Sequence, residues 1–220
     1  MLALVASGCA EGLWLRADRQ TAGRGRMGRG WESPLGNLYA STNVRLQSGD
    51  PDAATLALVA AIAVVETLST AAPHLPFQIK WPNDILCEGA KLSGILLERS
   101  GDAIIIGIGV NLQFYPIGLD RPVTSLAAWD VDSPAPSHFV VDLAQRFARW
   151  LGRWRTEGLG PVRDRWLERA HSIGTPLVVN LPDGHSVKGV FDGLETGGAL
   201  KLRLADGSIR AIHAGDVFLI

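Results

Sequence analysis

The chain has 220 residues, of which 47% are hydrophobic, so it can bury a sizeable core and a disordered state is not predicted. The formal net charge of −1 gives no general reason to bind nucleic acid or an anionic membrane. The two cysteines and five histidines have no metal-binding spacing, so we predict no metal cluster and a reducing, cytoplasmic setting.

Hydrophobic periodicity divides the first 172 residues into helices and strands. Residues 3–9 read as the end of a helix, and strands are expected at residues 13–17, 37–46, 77–81, 85–87, 92–98 and 103–110. Further helices are expected at residues 51–72, 137–157 and 161–170. Ser137 is the expected N-terminal cap of the second of these. Glu66 ends the apolar run of the first, well short of the ~20 residues that span a bilayer, so we predict a buried helix and no membrane partner.

The composition changes near Gly174. From there to the end, short β-rich runs are separated by Asp183-Gly184, Gly197-Gly198 and Asp206-Gly207. Such pairs favour tight hairpins, because the turn needs positive φ. We predict two domains, residues 1–172 and 173–220, the second a small β-barrel.

The segment from Gln20 to Trp31 is rich in glycine and arginine, and no regular element favours it. Glycines let backbone N–H groups approach an anion, and arginines add planar cationic donors. That combination suits a phosphate placed beside a carboxylate, two charges that repel by roughly 4 kcal/mol at 4 Å and an effective dielectric near 20. A mobile, solvated loop and an RNA-binding segment are the alternatives. The spacing is not that of a Walker loop, because no Gly-Lys-Ser/Thr follows.

Two further motifs lie close together in the sequence, Lys-Trp-Pro-Asn-Asp at residues 80–84 and Lys-Leu-Ser-Gly-Ile-Leu-Leu-Glu at residues 91–98. Pro82 breaks the preceding strand, which places Asn83 and Asp84 at the rim where ligands bind in α/β sheets. A turn at residues 88–89 brings Lys91 back towards Asp84, although a surface charge is the alternative for this lysine. Gly94, inside a strand, indicates that something packs closely on the backbone.

The fourth motif is Gly-Ile-Gly-Val-Asn at residues 107–111. Two glycines at the end of a buried strand permit the close approach of a flat ligand, and Asn111 is placed to hydrogen-bond a base edge. The alternative is a plain strand-terminal turn in which Asn111 adopts left-handed geometry.

Together these motifs resemble those of the biotin protein ligases. Gly-Arg-Gly-Arg-x-Gly-x-x-Trp, Lys-Trp-Pro-Asn-Asp, Lys-Leu-x-Gly-Ile-Leu-x-Glu and Gly-x-Gly-x-Asn occur here in the family's order. The resemblance covers nearly the whole chain, with a looser match in the C-terminal β-domain. It implies that ATP and Mg²⁺ convert biotin to biotinyl-5′-adenylate. The biotinyl group then passes to a lysine of the biotin carboxyl carrier domain of a carboxylase.

The resemblance also implies roles for individual residues. Lys91, Arg24, Arg26 and Asp84 are the expected catalytic residues, with Lys91 contacting the biotin carboxyl group and the α-phosphate. Asp84 either holds Mg²⁺ or orients Lys91. The expected binding residues are Gln20 near the biotin rings, Gly23, Arg24, Gly25 and Arg26 in a closing loop, Trp31 and Asn111 beside adenine, and Asn83, Lys91 and Gly94 near the reaction centre.

Two features depart from the family pattern. The first motif begins at Gln20, which leaves no room for an N-terminal helix-turn-helix domain, so no DNA partner is expected. The family's first strand and its Ser/Thr-Thr/Ser-Asn turn, which line the biotin ureido pocket, are also expected to be missing. We interpret the tripeptide at residues 41–43, Ser-Thr-Asn, as a coincidence because it lies within a strand.

We therefore predict an α/β (α+β) protein, with a mixed β-sheet and packed helices followed by an SH3-like β-barrel. The predicted function is biotin–protein ligation, with a homodimer as a further expectation. A lipoate-type ligase is the alternative enzyme. A non-catalytic biotin- or nucleotide-binding protein is the alternative from another class, because of the missing segment.

Overall fold

Four helices and eleven strands form within residues 1–219, the part of the chain that the computed structural model describes. The helices are α1 (Leu2–Ala6), α2 (Leu56–Ala71), α3 (Pro136–Glu157) and α4 (Gly160–Leu167). The strands are β1 (Leu15–Ala17), β2 (Leu38–Arg45), β3 (Phe77–Lys80), β4 (Asp84–Cys87), β5 (Ala90–Ser100), β6 (Ala103–Val110), β7 (Pro176–Asn180), β8 (Ser186–Leu194), β9 (Leu200–Arg203), β10 (Ile209–Ile212) and β11 (Asp216–Leu219).

The first sheet has six strands in the order β1-β2-β6-β5-β4-β3. The predicted fold class is confirmed, but this sheet is antiparallel between all its neighbouring strands, where we expected a mixed sheet. The reason is the length of the connections. Strands β3 to β6 follow one another through two or three residues, and a parallel pair needs a crossover of a dozen or more.

Helix α2 lies at the centre of the core because its sequence is apolar on nearly every side. The segment Ala53–Ala71 has the length and composition of a membrane span, but 67% of it is buried inside the protein. The Asp52 carboxylate accepts a hydrogen bond of 2.8 Å from the Ala54 N–H just before the helix. Six buried side chains of α3 pack into the same core, namely Phe139, Leu143, Phe147, Trp150, Leu151 and Trp154.

Helix α3 begins one residue earlier than expected. Ser137 is not its cap, because Pro136 takes the first helical position and Ala135 is the capping residue. Proline suits that position, since its φ is already helical and its missing N–H has no partner there in any case.

The second sheet has the order β10-β9-β8-β7-β11 and belongs to the SH3-like C-terminal part. Its three tight turns contain Gly184, Gly198 and Gly207, each with φ between 83° and 86°. No ladder joins β10 to β11 within residues 1–219, so the described strands do not form a closed barrel. The Lys80 ammonium donates a hydrogen bond of 3.0 Å to the Val217 carbonyl, which ties β11 to the first sheet.

Glu66 joins three helices through one carboxylate. This group, on α2, accepts hydrogen bonds from Arg149 at 3.0 Å and the Trp150 indole at 3.1 Å, both on α3, and from Arg165 on α4 at 3.1 Å. Burial alone would raise the pKa of Glu66, but the hydrogen bonds from Trp150 and Arg165 outweigh burial and the pKa is lowered. The ionised form therefore stabilises the packing of these helices.

We predict that Glu66→Ala lowers the free energy of unfolding by about 1–3 kcal/mol, because it leaves the buried Trp150 indole N–H without this acceptor and removes a partner of Arg165. The corresponding fall in Tm is ~2–4 °C per kcal/mol for a chain of this size. Glu157→Ala is the matched control, since Glu157 forms an exposed pair with Arg153 on one helix and its loss should not change Tm measurably. Equal effects of the two variants would contradict the role of Glu66.

The same contact predicts a pH dependence. Because the folded pKa of Glu66 lies below its ordinary value of 4.5, its stabilising effect is complete above that pH. The effect is lost as the pH falls through the folded pKa. Urea unfolding at pH 7 and pH 3 should therefore show a smaller difference between wild type and Glu66→Ala at the lower pH.

Candidate active site

A cavity of about 550 Å³ lies on the face of the first sheet opposite α2. Its walls come from the five strands β2 to β6 of the first sheet, from the glycine- and arginine-rich loop at residues 20–31, from residues 120–122, and from β11 of the second sheet. This volume is that of a typical small-molecule site.

The charged centre of the cavity is a pair formed by Lys91 and Asp84. The β4–β5 hairpin turns through Glu88 and Gly89, both at positive φ (47° and 78°), and so returns Lys91 to Asp84 as its spacing predicted. The Lys91 ammonium donates a hydrogen bond to Asp84 Oδ1, and Lys80 Nζ lies 3.4 Å from Asp84 Oδ2. The carboxylate is thus held between two ammonium groups.

Burial and charge act in opposite directions on this pair. Burial would raise the pKa of Asp84, but Lys91 and Lys80 outweigh it and the pKa is lowered, so the carboxyl group is ionised at neutral pH. Burial lowers the pKa of Lys91, and Asp84 opposes that change. An ammonium kept in a poorly solvated place interacts strongly with any anion that enters.

Asp84 does not fit the alternative role of magnesium ligand. Both of its oxygens face ammonium groups, and residues 1–219 contain no cluster of three or more His, Cys, Asp or Glu side chains able to hold a metal ion. The geometry favours the other alternative, in which Asp84 orients Lys91.

The Trp31 indole lies against two glycines of the sheet. A Cβ atom on Gly109 would come within 2.6 Å of Trp31 Cζ2, and one on Gly94 within 3.1 Å of Trp31 Cζ3. The close packing that Gly94 predicted is therefore present, but the partner is a side chain of the protein itself. Lys91 Nζ lies 5.7 Å from the centre of the indole ring, which is within cation–π range.

Gln20, Gly23 and Arg24 form the first part of the loop. Gln20 Oε1 accepts a hydrogen bond of 3.0 Å from Ser33, and Arg24 pairs with Glu98 on β5 at 3.0 Å. A Cβ atom on Gly23 would come within 2.3 Å of the Trp31 carbonyl oxygen, so only glycine fits there. This part of the loop lies over the end of β5.

The second part of the loop is attached to the C-terminal sheet. Arg29 donates two hydrogen bonds of 2.9 and 3.0 Å to the Asp216 carboxylate. Arg26 donates to the Gly215 carbonyl at 3.1 Å and to Asn83 Oδ1 at 3.4 Å. Asp216 therefore joins a segment near the start of the chain to one near its end.

The structure brings together the predicted site residues except Gly23 and Asn111, which do not line the cavity. Asn111 is buried and does not line the cavity; its side-chain amide donates a hydrogen bond of 3.0 Å to the Thr124 carbonyl. This contact holds Asn111 at the end of β6, and Asn111 does not adopt the left-handed geometry of the alternative. A place beside adenine stays a prediction.

The sequence analysis missed several residues of the cavity. Those with charged or hydroxyl side chains are Arg29, Ser41, Lys80, Glu98, Asp120, Arg121 and Asp216. Lys80 had a signal, since it stands in the same motif as Asp84 and the two are opposite each other in the β3–β4 register. Asp216 had none, because its approach depends on how the two sheets pack.

A buried lysine oriented by a carboxylate, beneath a loop of arginines, defines a site for joining a carboxylate to a phosphate, as in acyl-adenylate-forming enzymes. Comparison with known families agrees. Residues 10–111 match the Biotin/lipoate A/B protein ligase family, and residues 177–220 match the Biotin protein ligase C terminal domain.

Comparison with individual proteins narrows the class of acyl-adenylate-forming enzymes to one family. The chain is 39% identical over 97% of its length to a biotin–[acetyl-CoA-carboxylase] ligase of Paracoccus denitrificans, covering 93% of that protein. A ligase of the same name from Mycobacterium tuberculosis is 33% identical over 99% of this chain and 83% of its own. The solved biotin protein ligase of Aquifex aeolicus, in complex with biotin and ATP, superimposes with a TM-score of 0.89 at 26% identity, covering 99% of this chain and 94% of that one. The chain belongs to the biotin protein ligases.

We predict that Asp216→Asn loosens the loop. Removing the charge that Arg29 and Arg26 share should weaken the attachment by about 1–2 kcal/mol, which corresponds to roughly fivefold to thirtyfold more opening. Trypsin should then cleave after Arg26 and Arg29 faster by a similar factor in the ligand-free protein, as measured by mass spectrometry of the fragments.

Asp192→Asn is the control for this experiment, because Asp192 pairs with Lys201 and Arg203 inside the C-terminal sheet and does not contact the loop. Unchanged cleavage in Asp216→Asn would show that the carboxylate does not hold the loop.

Proposed function

We propose that this cavity activates biotin with ATP and then donates the biotinyl group to a protein lysine. In the first step a biotin carboxylate oxygen bonds to the α-phosphorus, and the bond to the β-phosphate breaks, releasing pyrophosphate. In the second, the lysine nitrogen attacks the biotinyl carbonyl, an amide forms, and AMP and a proton leave. The observation that carries the proposal is the buried Lys91 ammonium, oriented by Asp84, at the bottom of an arginine-lined cavity.

Lys91 has the central role in this proposal. Its ammonium approaches the carboxylate and the α-phosphate together, and so offsets both their mutual repulsion and the charge that develops in the transition state. Asp84 keeps the ammonium in place but leaves it free to turn towards the ligand. Asn83 fixes the start of β4, since its amide donates to the Ile95 carbonyl.

The arginine loop is proposed to enclose the adenylate. Arg24 and Arg26 now face Glu98 and Asp216, and a ligand phosphate would compete with these carboxylates for the same guanidinium groups. A closed loop also excludes water, which would otherwise hydrolyse the mixed anhydride.

The proposal also covers the acceptor protein, the location, the oligomeric state and the metal ion. The acceptor is the biotin carboxyl carrier domain of a carboxylase, as the names of the relatives imply. A cytoplasmic location and a homodimer stay predictions. Mg²⁺ also stays a prediction, and the nucleotide phosphates would have to hold it, because Asp84 faces two ammonium groups.

We predict that Lys91→Ala slows biotin-dependent pyrophosphate release by about 10²–10³-fold, the effect of losing one transition-state donor worth about 2.7–4 kcal/mol. Lys188→Ala is the control, since Lys188 is an exposed lysine of β8 that does not line the cavity. A circular dichroism spectrum should confirm that both variants fold. A rate for Lys91→Ala within a few-fold of wild type would remove Lys91 from the mechanism.

Substrate choice has its own test. Isothermal titration should show biotin binding, and lipoate should compete poorly for the same site. Preferential lipoate binding would favour the lipoate-type alternative. Biotin binding without release of AMP or pyrophosphate in the presence of ATP and acceptor would favour a non-catalytic binding protein.

A further inference from the structure

Arg121 is a cation of the cavity wall that has no counter-charge in the protein. It is half-buried, and its guanidinium forms no ion pair and no hydrogen bond within residues 1–219. The other arginines of the cavity, Arg24, Arg26 and Arg29, each pair with a carboxylate. A guanidinium has five N–H donors and stays charged in proteins. Arg121 is therefore able to bind an anion without giving up a contact inside the protein.

The backbone places Arg121 next to Lys91. Residues 122–124 lie beside β5, where β6 has already ended. The Lys91 N–H donates a hydrogen bond of 2.9 Å to the Pro122 carbonyl, and the Thr124 N–H donates one of 2.9 Å to the Lys91 carbonyl. Proline also restricts the residue before it to an extended backbone conformation. Arg121 is thus held at the start of a short segment that is paired with Lys91 itself.

The loop that carries Arg121 is attached to β5 at its other end as well. The Asn111 N–H donates a hydrogen bond of 2.9 Å to the Leu92 carbonyl, and the Asn111 side-chain amide donates to the Thr124 carbonyl at 3.0 Å. Residues 112–121 are therefore a loop with two fixed ends. Arg121 is at one of these ends and not at the exposed tip, so the sheet determines its position.

The charge of Arg121 acts on the charged centre of the cavity. Burial is the main cause that lowers the pKa of Lys91, and the nearby charge of Arg121 lowers it further. Together with Lys80, these two cations share the carboxylate of Asp84. Three cations and one carboxylate give this cluster a formal charge of +2. Such a cluster attracts a ligand that has more than one negative charge.

The proposed function, on which this inference rests, supplies a ligand of that kind. When a biotin carboxylate oxygen bonds to the α-phosphorus, the bond from this phosphorus to the bridging oxygen of the β-phosphate breaks. The electron pair of that bond stays on the departing pyrophosphate, whose negative charge grows. A cation that touches the departing group stabilises this charge. Lys91 already faces the carboxylate and the α-phosphate, so the pyrophosphate needs a second cation beyond it.

We propose that Arg121 is a catalytic residue that binds the β- and γ-phosphates of ATP and stabilises the pyrophosphate as it leaves. The cavity continues from Lys91 towards the β4–β5 turn, where Leu86, Gly89 and residues 120–122 form its wall. The planar guanidinium suits two phosphate oxygens at once. The role is confined to the first step of the reaction, because biotinyl-5′-AMP no longer carries these phosphates.

The two steps of the reaction provide the test. Arg121→Gln removes the charge and keeps a polar side chain. We expect biotin-dependent pyrophosphate release to slow by roughly 10²-fold, the lower end of the effect of losing one donor that stabilises developing charge. Inhibition by added pyrophosphate should weaken at least tenfold. Transfer from supplied biotinyl-5′-AMP to the carrier domain, and biotin affinity measured by isothermal titration without ATP, should not change.

Two further variants serve as controls. Arg99→Gln removes an exposed arginine of β5 that does not line the cavity, and it should leave both steps unchanged. Arg121→Lys keeps the positive charge without the planar fork, and it should lose less of the first step than Arg121→Gln. The unchanged biotin affinity of Arg121→Gln shows at the same time that this variant is folded.

Three results would overturn the proposal. Pyrophosphate release at the wild-type rate in Arg121→Gln would make Arg121 a surface cation without a role in the reaction. An equal loss in the adenylation and transfer steps would place its action on the adenylate or on the fold, and not on the leaving group. Equal losses in Arg121→Gln and Arg121→Lys would show that the charge is not what acts. If the wild-type protein releases no pyrophosphate with biotin and ATP, the proposed function itself fails, a result distinct from these three.

Discussion

The buried pair of Lys91 and Asp84 is the contact on which the site depends. Two opposite charges out of water cost several kcal/mol each before they attract one another, so such a pair is weak evidence for stability. Here a third charge, Lys80, leaves the cluster with an excess positive charge. An anion entering the cavity neutralises that excess, and the pair is better explained by ligand binding than by folding.

The charge cluster is held in place mainly by contacts between residues that lie close together in the sequence. The turn of the β4–β5 hairpin has two residues, and both have a left-handed backbone conformation. The positions of Asp84 and Lys91 are therefore fixed by their local sequence. The apolar face of the same sheet is covered by α2, which prevents the hairpin from moving away from the core. By contrast, the arginine loop is held by ion pairs that reach across the two sheets. The lysine is thus on a rigid element, and the arginines are on one that can exchange partners.

Sequence periodicity was sufficient to predict most helices and strands, because the pattern of apolar residues that determines each one lies within its own segment. The apolar run of β6 and the Asp-Gly hairpins lie at the predicted places, and α2 ends one residue before its predicted end but begins five residues later than expected. The local return of Lys91 to Asp84 was predictable for the same reason. Asp216 was not, since nothing in its own neighbourhood indicates that Arg29 will meet it 187 residues away. The surroundings of Asn111 were not predictable either, because a polar residue after a glycine-rich strand serves equally as a ligand or as part of a turn, and its contact with the Thr124 carbonyl depends on the fold.

The two glycines at residues 94 and 109 show how one side chain can stand in for a ligand. Their missing Cβ atoms make a flat place on the sheet, and in the ligand-free protein the Trp31 indole fills it. The indole ring covers this part of the sheet, but its own buried N–H has no partner among the described residues. Trp31 is the last residue of the arginine loop, and its backbone N–H donates a hydrogen bond of 2.9 Å to the Gly23 carbonyl. A nucleotide base that moved the indole would therefore act on the loop through that hydrogen bond. On the proposed function, this hydrogen bond would couple ligand binding to loop closure with no need for movement elsewhere in the fold.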